Sequence, residues 1–369
     1  MPLQPLSRFQ TLKESIRRNL LNRFGQDEFR ALSRQINVVR AGVAQRNVRK
    51  PLTYTVDCDL PLIYVSEPPR SGGTLLRSLL DGHPACHVFP HEISWEKNGF
   101  RWASGFPAGA SPRAIFARLR DQWTDHFFVN GIDRLYPFYF NRSLQRKVFL
   151  ERTSREGFPG TVRAYLGAYL TSFFNAWVDY QNLYKPDRQY VCAFCPWPVE
   201  TTPEQVESFF KVYPDGYRLQ VLRHPMGWWA SFRNFHLAAN EPQRKVAEHF
   251  PERWKRAAEI GLQMAERYPD RYLILSFDDL VRNPEASLQA LCKRLELPFA
   301  DSLRTPSINE IPKRSNSSYS EGTYGFDPEV LERWRSVLSA EEISEVDALS
   351  KDLYEPLRAR AVNHGLASE

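Results

Sequence analysis

The chain has 369 residues and a mass of 42.9 kDa, with 42% apolar and 25% charged residues. That balance excludes a fibrous or wholly disordered chain. No run of about 18 apolar residues is present to span a bilayer. The formal charge is +6, but residues 1–50 carry 11 Lys/Arg against 3 Asp/Glu, so the remainder is slightly acidic. A basic face confined to an arm argues against a nucleic-acid-binding fold.

Residues 1–50 form a basic arm, separate from an α/β domain expected over 51–369. Its start lacks an apolar core and a cleavage site, so no secretory signal is expected. Phe9, Leu12, Ile16, Leu20 and Phe24 recur at helical spacing, flanked by Lys13, Arg17, Arg18 and Arg23. Such a helix suits an anionic membrane surface or packing on its own domain or a partner subunit. A cleaved transit peptide is a third option, against which Glu14, Asp27 and Glu28 count.

After Pro51 the pattern changes. Residues 60–66 read as a buried strand, Glu67–Thr74 as a tight loop, and Leu75 onward as a helix. Val88–Glu92 follows as a short loop. Residues 95–185 form a mostly helical insertion rich in aromatics, including Trp102, Trp123, Phe127, Phe128, Tyr136, Phe138, Tyr139, Tyr165, Phe173, Phe174 and Trp177. These serve an acceptor cleft or core packing. Further strands are expected at 189–194, 217–222 and 271–276. Helices are expected at about 226–239, 243–268 and 283–296, the last opened by Pro284. A polar loop spans 303–327, and a helical region spans about 328–362. Short buried strands alternating with helices specify a doubly wound parallel sheet with helices on both faces.

The five cysteines, Cys58, Cys86, Cys192, Cys195 and Cys292, are too few and odd in number for a secreted disulfide framework. Cys192 and Cys195 form one lone C-x-x-C, better read as two thiols than as a metal site. A cytoplasmic location, peripheral to a membrane if the arm docks there, is the corresponding expectation.

Strand, Pro69-Arg-Ser-Gly-Gly-Thr74, helix is the layout of a phosphate cradle. Glycines let the backbone curl, the helix start adds a positive dipole end, and Arg70 forks anionic oxygens. The Walker spacing and its Lys are absent, which speaks against metal-assisted γ-phosphoryl transfer. A second anion element is Arg223, ending a strand, with Ser231 two helical turns on. Together they suit a nucleotide phosphorylated at two places, held at the carboxyl edge of the sheet.

Residues 69–84 resemble the 5′-phosphosulfate loop of sulfotransferases that use 3′-phosphoadenosine-5′-phosphosulfate. Residues 221–231 resemble that family's 3′-phosphate motif. Residues 273–285 look like its later strand, acidic pair and helix. The match runs over about 60–345 and is closer to the glycan- and protein-modifying branch and bacterial relatives. The resemblance implies a P-loop-like fold and transfer of a sulfonate to a hydroxyl of a carbohydrate, glycolipid or other small acceptor, with no metal. It implies that Arg70, Ser71, Gly72, Gly73, Thr74 and Leu75 hold the 5′ end, and Arg223 and Ser231 the 3′-phosphate. Lys313 and Arg314, with Asn316, Ser317 and Ser318, fall where the family has a polar lid. Glu92 is the expected base, with His91 and His87 as alternatives, Arg70 serves the leaving group, and Arg77 faces either the cofactor or solvent. Ala193-Phe194-Cys195-Pro196 lacks the Lys that many relatives carry there, leaving Arg70, Lys147 or Arg152 to compensate. A P-loop kinase or NTPase and a catalytically silent nucleotide-binding scaffold are the alternative readings.

Overall fold

A computed structural model describes residues 56–93, 106, 109–120, 140–177, 180, 188–196, 202–237, 250–314 and 324–366. The basic arm over 1–50, Asn316, Ser317, Ser318 and the aromatics Trp102, Trp123, Phe127, Phe128, Tyr136, Phe138 and Tyr139 lie outside the described residues.

Five parallel strands form one sheet: β1 (Leu62–Ser66), β2 (Cys86–Glu92), β3 (Tyr190–Cys195), β4 (Tyr217–Leu222) and β5 (Tyr272–Ser276). Their spatial order is β2-β3-β1-β4-β5, so the chain leaves central β1 in both directions. The crevice beyond the carboxyl ends of such strands is where open α/β sheets bind ligands.

Alternation along the strands builds two cores. Leu62, Tyr64, Val191, Ala193, Tyr272 and Ile274 face one, with α4 (Val162–Ala176), α5 (Pro203–Val212), α6 (Pro225–Leu237), α7 (Phe250–Arg267) and α11 (Ala340–Ala359). Ile63, Val65, Cys192, Phe194, Leu219 and Leu275 face the other, with α1 (Gly73–Leu80), α8 (Phe277–Arg282) and α9 (Pro284–Arg294). Helices therefore cover both faces, as the strand-helix alternation requires. Within the insertion, α2 (Pro112–Leu119) and α3 (Arg142–Thr153) precede α4.

Five features differ from the sequence expectation. Residues 88–92 are not a loop but the end of β2. Pro90 and the two histidines hide this strand, yet an edge position tolerates a proline, and a bulge lies between Val88 and Glu92. Helix α5 was not among the expected elements. The expected helix at 283–296 is α9, and a short helix that was not expected, α8, precedes it, ending at Asn283. The expected helical region over 328–362 is a 3₁₀ turn (Pro328–Leu331), α10 (Trp334–Val337) and α11, which restarts at Ser339 through a reciprocal cap with Glu342. The polar stretch also holds a small antiparallel pair, β6 (Ser307–Ile308) and β7 (Ile311–Pro312).

The described aromatics of the insertion are core, not cleft. Phe173, Phe174 and Trp177 are fully buried and pack on one another, on Phe140 and on Tyr180. All five cysteines are buried and none is in a disulfide. Cys192 and Cys195 belong to opposite cores, because three steps along a strand reverse the facing, so the C-x-x-C does not converge on a metal. No helix among the described residues is long and apolar enough to cross a membrane.

Candidate functional site

The turn between β1 and α1 is held in an unusual backbone path. Arg70 has φ 75° and Gly72 φ 117°, both left-handed. Non-glycine residues adopt that region at a cost and persist there when the surroundings fix them. Here the surroundings do so. Trp228 Nε1 donates to Pro69 O at 2.8 Å, and Arg223 Nη1 donates to Arg70 O at 3.0 Å. Arg70 Nε donates to Ser231 Oγ at 3.3 Å. The two anion elements read separately from the sequence are thus joined by three direct bonds.

Gly72 is required, and Gly73 leaves room for a neighbouring side chain. A Cβ at Gly72 would run into the Phe277 ring, and one at Gly73 into the Glu67 carboxyl. Gly73 opens α1, where the helix dipole favours an anion; Gly73 N–H donates to Glu67 Oε1 and Leu75 N–H to Gly72 O at 2.9 Å.

An open cleft lies over this turn. Arg70, Gly72, Thr74, Leu75, Glu92, Arg223 and Ser231 line it. Ser71 is buried beneath, and its Oγ has no hydrogen-bond partner among the described residues. An orphaned hydroxyl inside a glycine-built cradle fits an anionic group with several acceptor oxygens. The guanidinium of Arg223 sits 4.9 Å over the Phe277 ring, and that of Arg70 5.1 Å over Phe235, which is half exposed at the rim. The turn after Arg223 is fixed by His224 N–H donating to Asp278 Oδ2 at 2.7 Å.

Glu92 stands at the carboxyl end of β2, in register with Phe194 of β3. The following residue is tied twice: Ile93 N–H donates to Phe194 O at 2.9 Å, and Tyr64 Oη–H donates to Ile93 O at 2.8 Å. Arg77 is neither solvated nor facing the cleft. It is buried, and its Nη1 donates to Pro90 O at 2.6 Å, bracing the strand just before Glu92.

Other expected residues lie elsewhere. His91 is partly buried and is not among the cleft-lining residues. His87 is a core residue: it shares a hydrogen bond at 3.0 Å with Tyr180, and burial, with Arg188 nearby, drives its pKa down to about 3. Lys147 is exposed beside Glu151, and Arg152 makes a two-pronged pair with Asp57, so neither reaches the cleft. Lys313 donates its N–H to Pro306 O, and Arg314 stacks 5.3 Å over Tyr324; the cleft is lined instead by Gly325–Asp327, Val330 and Arg333. Arg333 Nη2 donates to Asp327 Oδ2 at 2.7 Å. No sequence signal marked Arg333 or Asp327. Glu67 was visible in the loop, but only the fold shows its carboxyl turned toward Gly73.

A family model described as "Sulfotransferase family" matches residues 61–301. A stretch of 46 residues is 46% identical to protein-tyrosine sulfotransferase 1 of Mus musculus; it covers 12% of this chain and 12% of that relative's length. Among solved structures, the sulfotransferase domain of the Synechococcus PCC 7002 olefin synthase is similar at TM-score 0.47 and 18% identity. The similarity covers 80% of this chain and 95% of that one. Sulfotransferase STF9 of Mycobacterium avium is similar at TM-score 0.37 and 14% identity, over 88% of this chain and 83% of that one.

Proposed function

The chain belongs to the sulfotransferase family, and on that premise we propose that it moves a sulfonate group from 3′-phosphoadenosine-5′-phosphosulfate to a hydroxyl of a carbohydrate or glycolipid. The observation that carries this reading is the direct linkage of Arg70 with Ser231 and of Arg223 with the Arg70 carbonyl. One ligand with anionic groups at two places engages both elements of that linkage at once.

In this reading the Ser71–Leu75 segment, with Arg70, receives the 5′ end of the donor, and Arg223 and Ser231 receive its 3′-phosphate. The donor supplies the sulfonate. Glu92 takes the acceptor's hydroxyl proton as its oxygen attacks sulfur, and the sulfur–oxygen bond to the 5′-phosphate breaks. Negative charge then gathers on the departing phosphate oxygen, where the positive end of α1 and Arg70 stabilise it. With Lys147 and Arg152 engaged elsewhere, Arg70 is the cation assigned to that side. His91, next to Glu92 on β2, remains the alternative base. Lys313 and Arg314 keep their proposed lid role only if the segment bearing them moves over the cleft when donor binds. The basic arm is proposed as a membrane-surface contact of a cytoplasmic enzyme, and no nucleic acid is proposed as a partner.

Thermal unfolding tests the donor. Ligand bound to the folded state alone stabilises it by mass action, about 2.7 kcal/mol at a hundredfold excess over Kd. Protection by 3′,5′-bisphosphoadenosine and none by ATP–Mg²⁺ is expected. The reverse result would support the kinase reading and sink this one. A screen of glycans, glycolipids and tyrosine peptides with radiolabelled donor then reads the acceptor. No transfer to any of them would favour a silent scaffold.

A further inference from the structure

Glu67 follows β1 directly, and the chemistry above gives it no work. Its side chain is buried at 2% exposure and turns into the phosphate loop. Oε1 accepts from Gly73 N–H at 2.5 Å. Oε2 is buried with no hydrogen-bond partner among the described residues. Glycine at 73 is what makes room for it, since any Cβ there would overlap both carboxyl oxygens. The carboxyl therefore stands where an oxygen of a bound anion would stand, at the first amide of α1.

We propose that Glu67 is an internal occupant of the anion cradle, and that the phosphosulfate donor is admitted when this carboxyl carries a proton. The inference rests on the donor reading above. An ionised Glu67 would press a buried like charge against the donor's 5′ end, where repulsion is stronger than between charges in water. A neutral Glu67 keeps its carbonyl oxygen on Gly73 N–H and offers Oε2–H to an incoming anionic oxygen.

The surroundings favour the neutral form. Burial pushes the Glu67 carboxyl well above the usual carboxylate range; the Gly73 N–H pulls the other way, and the charge of Glu92 adds to the rise. The charge that acts on it is Glu92 from β2; the other charged groups lining the same cleft are Arg70 from the loop, Arg223 from the end of β4, and Asp327 with Arg333 from the C-terminal segment. Arg223 and Arg333 are directed at the Arg70 carbonyl and at Asp327, and Arg77 of α1 at the Pro90 carbonyl. The sign follows. Below the free protein's Glu67 titration, donor affinity is independent of this group. Above it, a proton must be taken up on binding, and affinity falls as pH rises.

Calorimetric titration of the full chain with 3′,5′-bisphosphoadenosine between about pH 6.5 and 9.5 tests this, because buried carboxyls titrate as high as about 8–9. The ligand's phosphates, with second pKa values near 6, are fully ionised in the upper half of that range. Wild-type affinity should fall about tenfold per pH unit above the Glu67 titration, while Glu67→Gln, neutral at every pH, stays flat. Runs in two buffers of different ionisation enthalpy should show wild type taking up close to one proton per ligand at alkaline pH. Parallel curves for the two proteins would overturn this inference alone. No binding by either at any pH would overturn the donor reading, and this one with it. If Glu67→Gln does not fold, the wild-type proton count decides: zero uptake up to pH 9.5 refutes the role.

Discussion

Glu92→Gln is expected to cut sulfonate transfer by about 10²–10⁴-fold, the usual contribution of a positioned base, while binding of 3′,5′-bisphosphoadenosine stays at the wild-type level. Gln has nearly the shape of Glu and keeps its place in the cleft, so only the proton acceptor is lost. The placement makes the substitution clean. β2 holds residue 92 against Phe194, the bonds to Ile93 fix the chain just after it, and Arg77 holds Pro90 just before it. Steady-state kinetics with radiolabelled donor, beside calorimetry of the nucleotide product, separates the two effects. Full turnover in the variant would move the base to His91. It would not move it to His87, which lies in the core against Tyr180.

Arg223→Ala should act on the other quantity. Hydrogen bonds to charged groups contribute about 1.5–3 kcal/mol each, so affinity for 3′,5′-bisphosphoadenosine should drop roughly 10–150-fold. Two losses combine. The guanidinium assigned to the 3′-phosphate disappears, and the Arg70 carbonyl loses the donor that pins the left-handed turn. Arg223→Lys should fall between, since an ammonium keeps charge but cannot span two acceptors. Calorimetry reads the affinity, and circular dichroism checks that the fold survives loss of a side chain stacked on Phe277. Unchanged affinity in Arg223→Ala would remove the 3′ pocket from the account.

Much of the fold was legible because its strands are short apolar runs. β1, β3, β4 and β5 are buried on both faces and bounded by turn residues, so local pattern and tertiary position agree. β2 was not legible, because an edge strand need not be uniformly apolar and this one carries Pro90 and two histidines. That omission placed Glu92 in a loop rather than on a fixed strand end. The anion elements were legible for a different reason: glycine, arginine and serine at strand ends have few structural substitutes. What the sequence withheld was pairing at long range. Nothing local tells that Arg70 meets Ser231, 161 positions away, or that Arg77 supports β2 instead of facing solvent or the donor. The insertion aromatics show the limit from the other side, since a ring that stacks on a sugar and a ring that fills a core are the same residue. That position 73 is a glycine finds its context only in three dimensions, where the Glu67 carboxyl takes the space a Cβ would fill.

One cleft, at the tips of β1 and β4, is proposed to grip both ends of a doubly phosphorylated adenosine. A crystal structure of the full chain with 3′,5′-bisphosphoadenosine tests it most directly. The 5′-phosphate is expected at the start of α1, on Ser71 Oγ, and the 3′-phosphate on Arg223 and Ser231. A nucleotide bound outside this cleft, or lying in it with neither phosphate near Arg223, would contradict it.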